Sequence, residues 1–139
     1  MTAVSDRPAP PNVWRWVAGG LAVLFGLATV LEGGHILLGG SAARAAAGDV
    51  VLFVLGFNFA AGFAYIATGA ATLARRGWAV WGARALAVFT LLVFVAFGVH
   101  VLEGRPYETR TMVAMTIRST FWVVQALTLP NLLRTKRSS

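Results

Sequence analysis

Polar residues in this chain fall in short clusters that separate long apolar runs. The runs cover about 13–32 (or on to 38), 50–74, 78–103 and 111–130. None alternates with period two, and each exceeds the roughly 9–11 residues of a membrane strand. At about 1.5 Å per residue each can cross the roughly 30 Å of hydrocarbon in a bilayer. The pattern predicts an all-α, four-helix transmembrane bundle over residues 13–133. A tail at 1–12 containing Pro8, Pro10 and Pro11 precedes it, and a basic tail at 134–139 follows. Consecutive prolines supply no helix or ladder donors, which makes the first tail a candidate for disorder. A cleaved signal peptide has an apolar region of roughly 7–15 residues with a small-residue cleavage site close behind. The first run is longer, and the Ala-rich stretch 42–47 lies well past Glu32, so the run reads as a retained helix. It ends at Glu32 if Gly33-Gly34 breaks it, or near Leu38 if it does not. Glycine makes a break cheap without forcing one.

Composition strengthens this reading. Apolar residues make up 58% of the 139 and charged residues 12%, against roughly 45–50% and 25% in soluble domains. So few charges cannot cover a water-facing surface, and the mean hydropathy of +0.72 agrees. There is no cysteine, which removes disulfides, thiolate metal sites and cysteine nucleophiles. The formal charge of +7 sits at the ends of the apolar runs rather than in a basic stripe with interleaved aromatics. It therefore points to a lipid bilayer and not to nucleic acid.

Charge also sets the expected orientation. With the N-terminus inside, the inner segments hold Arg7, Arg15, Arg75, Arg76, Arg84, Arg134, Lys136 and Arg137, and the outer ones Arg44, Arg105 and Arg110. The excess predicts a multi-pass protein of the cell membrane, with both termini cytoplasmic. Trp14, Trp16, Trp78 and Trp81 then mark the inner boundary. Small residues crowd the second run (Gly56, Ala60, Ala61, Gly62, Ala64, Gly69, Ala70). They allow close backbone approach in lipid, which places that helix mid-bundle or at a contact with another copy or another membrane protein.

Two segments carry the candidate chemistry. Val30-Leu31-Glu32-Gly33-Gly34-His35 reads Glu-x-x-His, and His100-Val101-Leu102-Glu103-Gly104-Arg105 reads His-x-x-Glu. Both follow a Phe-Gly pair, a 2+2-helix internal repeat in outline. They hold both histidines and two of the five acids, and residues three apart share a helix face. Arg118 lies seven residues past Thr111, roughly 10 Å below the outer boundary, with Asn58 at similar depth. A charge inside a span costs about 2.5–3.5 kcal/mol on insertion scales, so it needs a partner or a task.

The simplest expectation pairs Arg118 with Glu32 or Glu103 in a structural cluster supported by Asn58. A second is a divalent metal held by Glu32, His35, His100 and Glu103. A third is haem between His35 and His100, and a fourth is proton or anion handling from the outer face. There is no Gly-x-Ser-x-Gly elbow, Walker loop or dinucleotide fingerprint, and Tyr107 and Glu108 read as a solvated turn. Four spans in about 140 residues with short tails are similar in layout to several families of small bacterial membrane proteins, including the DoxX-like group. That similarity covers topology alone. The expected function is a small non-enzymatic membrane protein, a subunit, accessory or homo-oligomer with no cofactor. The alternative is a metal-, ion- or haem-binding membrane protein.

Overall fold

The computed structural model describes residues 12–133; of the expected tails at 1–12 and 134–139, all but Asn12, which opens the first helix, lie outside them. The described residues form five helices: α1 (Asn12–Leu38), α2 (Gly40–Ala47), α3 (Leu52–Leu73), α4 (Trp78–Leu102) and α5 (Thr109–Leu132). All but the short α2 are long and apolar enough to cross a membrane. The long helices run alternately up and down, which gathers the end of α1, the start of α3, the end of α4 and the start of α5 at one end of the bundle. Adjacency follows the order α1–α3–α4–α5, with α1 and α5 meeting along a sparser seam.

Glycine sets the tightest contact. A Cβ on Gly26 would lie 2.7 Å from the Gly62 carbonyl oxygen, and one on Gly69 would lie 2.8 Å from that of Gly19. Two glycine pairs, seven residues apart on both helices, thus bring the α1 and α3 backbones together. The α3 helix also packs on α4, so like each of the other long helices it has two long neighbours in the bundle.

The two Glu-Gly segments end differently, and their neighbours explain why. After α4, Gly104 takes φ +75°, and the Arg105 N–H returns to the His100 carbonyl at 3.4 Å. Pro106 follows, which disfavours helical backbone at Arg105, so the helix closes in a Schellman turn. No proline follows Gly33-Gly34. Both glycines face Phe59 of α3, 3.2–3.3 Å from where a Cβ would stand. They serve close packing, and α1 continues to Leu38. The chain turns only at Gly39-Gly40, where Gly40 has φ +80°, and α2 then folds back across the end of the bundle.

The fourth span also differs from expectation. It begins at Thr109 and passes through Pro130 to Leu132. A proline this near a helix end forfeits one bond, and buried Leu129 accepts the closing bond from the Leu133 N–H at 2.9 Å.

Candidate functional site

The seam between α1 and α5 is held mid-span by side chains. Thr29 is 3% exposed, and its hydroxyl donates to the Phe25 carbonyl one turn back at 2.7 Å. That bond fixes the rotamer and turns an oxygen lone pair toward α5, where Arg118 donates to it at 3.3 Å. The Arg118 guanidinium also lies 5.3 Å from the Phe25 ring centroid, a cation–π contact. Arg118 is 7% exposed, and its Nε has no hydrogen-bond partner among the described residues. Below it, the Tyr65 hydroxyl faces Arg118, Thr90 and Trp122 without reaching hydrogen-bond geometry with any of them.

Above Arg118 is a pocket of about 290 Å³ between α1, α2, α3 and α5. Its deep end carries Arg118, Thr29 and Asn58; its mouth carries Glu32, His35, Glu108 and Arg110; Val51, Val54, Leu55 and Ala114 are among its apolar walls. Asn58 donates through Nδ2 to the Met115 sulfur at 3.6 Å, a weak bond. Its buried Oδ1 has no partner among the described residues. The Glu108 Oε1 accepts the Asp49 N–H at 2.8 Å, and Arg110 donates to the Ala47 carbonyl at 3.2 Å. These two bonds fasten the α2–α3 loop to the start of α5, so α2 forms a fixed wall.

The two Glu/His segments do not share this pocket. Glu32 and His35 line it, whereas His100 and Glu103 do not. His100 lies against Phe97 and Phe53, 6.3 and 6.1 Å between ring centroids, with Nε2 3.0 Å from the Pro106 carbonyl. Glu103 pairs with Arg105 at 3.1 Å, both side chains at least half exposed. The expected Arg118–carboxylate pair is not formed, because Glu103 is engaged locally and Glu32 stands a turn nearer the mouth than Thr29. Among the described residues no three His, Asp or Glu side chains gather in a group that could hold a metal ion.

The sequence pattern does not single out Thr29 and makes Glu108 part of a solvated turn, whereas Glu108 is tied to the Asp49 N–H. Helical spacing gives Thr29 away, three residues before Glu32 on one face. The roles of Glu108 and Arg110 depend on the fold-back of α2, and no local pattern marks them. No family model, curated protein or solved structure matches the chain.

Proposed function

We propose that this protein is a small cell-membrane protein, both termini cytoplasmic, that binds an anion in a pocket opening at the outer end of its helix bundle. One observation carries the reading. Arg118 is a buried guanidinium at the floor of a pocket, with one hydroxyl acceptor and no carboxylate within ion-pair distance among the described residues. A guanidinium stays charged at any physiological pH. In a low-dielectric span an uncompensated charge is strongly unfavourable, and an anion entering from the mouth compensates it. The planar fork suits a carboxylate or an oxyanion. The small volume and aliphatic walls favour a compact ligand carrying few carbons. The cytoplasmic assignment of the termini is supported by the excess of Lys and Arg in the segments opposite the pocket.

The test is equilibrium binding of 4-methylpentanoate to the full chain in phosphatidylcholine nanodiscs. A hydrogen bond to a charged group contributes roughly 1.5–3 kcal/mol, about tenfold to hundredfold in affinity. Arg118→Gln should lose that much, and Arg118→Lys, which keeps charge without the fork, should fall between. Equal binding by wild type and Arg118→Gln, or no binding by either, rejects the reading.

A further inference from the structure

The charges around the pocket are not equally committed. Glu108 holds the Asp49 N–H and Arg110 the Ala47 carbonyl. Two charged groups remain: Arg118 at the floor and Glu32 at the mouth. Among the described residues neither forms an ion pair, and the Glu32 side chain makes no hydrogen bond. They stand in register, because Thr29, which holds Arg118, and Glu32 occupy one face of α1 one turn apart, about 4.5 Å along the axis. His35 is the next residue on that face. One acceptor of cations and one acceptor of anions therefore look into one small chamber, with Val51, Val54 and Leu55 of α3 beside them.

From this we infer that the ligand is a zwitterion. Its anionic group binds the Arg118 fork, its ammonium group sits one turn higher at Glu32, and an aliphatic body lies on the α3 wall. The inference rests on the anion-binding reading above. No Phe, Tyr or Trp is among the described residues lining the pocket, so it lacks the aromatic faces that hold a quaternary ammonium. A primary ammonium instead donates hydrogen bonds, which the Glu32 carboxylate accepts. Two sources share this chemistry, a free amino acid and the ethanolamine phosphate headgroup of a lipid.

Three probes of one shape separate the contributions in the full chain in phosphatidylcholine nanodiscs: leucine, 4-methylpentanoate without the amino group, and isopentylamine without the carboxylate. The expected order is leucine at least tenfold tighter than 4-methylpentanoate, with isopentylamine weakest. Glu32→Gln should bring leucine and 4-methylpentanoate to similar affinity while binding of both survives. Glu32 is exposed, so this variant leaves the packed core intact. Adding phosphatidylethanolamine to the nanodiscs identifies the source. Weakened leucine binding in wild type marks a headgroup competing for the site, and unchanged binding marks a soluble zwitterion. If wild type takes 4-methylpentanoate as tightly as leucine and both depend on Arg118, the zwitterion is overturned while the anion site stands. A leucine preference that persists in Glu32→Gln overturns it as well. If neither carboxylate probe binds, both readings fall together.

Discussion

Thr29 shows how one side chain sets the state of another. Its hydroxyl donates along its own helix and accepts from Arg118 across the seam, so the guanidinium is aimed before any ligand arrives. Thr29→Val keeps the shape and removes the acceptor, leaving a buried charged donor unsatisfied. A loss of about 1–3 kcal/mol in unfolding free energy is expected, with weaker 4-methylpentanoate binding. Thr72→Val is the matched control. Among the described residues that buried hydroxyl bonds only to the Thr68 carbonyl of its own helix, so its loss should cost less than half as much in the same denaturation series. An equal cost for the two variants would show that the Thr29–Arg118 bond contributes nothing to stability.

Among the helices, the α1–α3 pair is the most sensitive to added volume. A methyl at Gly26 meets the Gly62 carbonyl at 2.7 Å, while one at Gly20 meets nothing within 4 Å among the described residues. Gly26→Ala should therefore lower stability by about 1–3 kcal/mol through overpacking. Gly20→Ala should be neutral or mildly stabilising, since alanine is the better helix former. Thermal unfolding followed by circular dichroism compares them, and a similar shift for both would deny the close approach.

The existence and order of the four long apolar helices were legible in the apolar runs. What Glu-Gly does was not, because the same dipeptide ends α4 and continues α1. The difference lies in Pro106 downstream, visible in sequence, and in Phe59 across the helix contact, visible only in the fold. The pairing of Arg118 was misjudged for a related reason. Depth along a helix can be counted from helical rise, but which residue faces which neighbour depends on helix rotation, which a weakly amphipathic helix such as α5 does not encode.

At the scale of the whole molecule, the seam between α1 and α5 has three parts. The polar pocket occupies one end, the Thr29–Arg118–Phe25 contact the middle, and an apolar groove lined by Trp14, Val17, Leu21, Phe121 and Val124 the other. Gln125 ties the helices there by donating to the Ala18 carbonyl at 3.0 Å. The pocket faces outward if the termini are cytoplasmic. The chain has no cysteine, so introduced single cysteines report sidedness without background. A membrane-impermeant maleimide on intact cells should label Ser41→Cys on α2, and should label Ala74→Cys between α3 and α4 only after permeabilisation. The reverse pattern would invert the orientation and open the pocket to the cytoplasm.

The most direct test of anion binding is the spacing between ligand and guanidinium. Solid-state NMR dephasing can measure it with 4-methylpentanoate labelled with carbon-13 at the carboxylate and protein labelled with nitrogen-15 at arginine. The expected result is strong dephasing, consistent with an N···O spacing of about 2.7–2.9 Å in a charge-assisted bond, and its loss in Arg118→Gln. Absence of dephasing in wild type, or dephasing that survives the loss of Arg118, would contradict an anion held at the floor of this pocket.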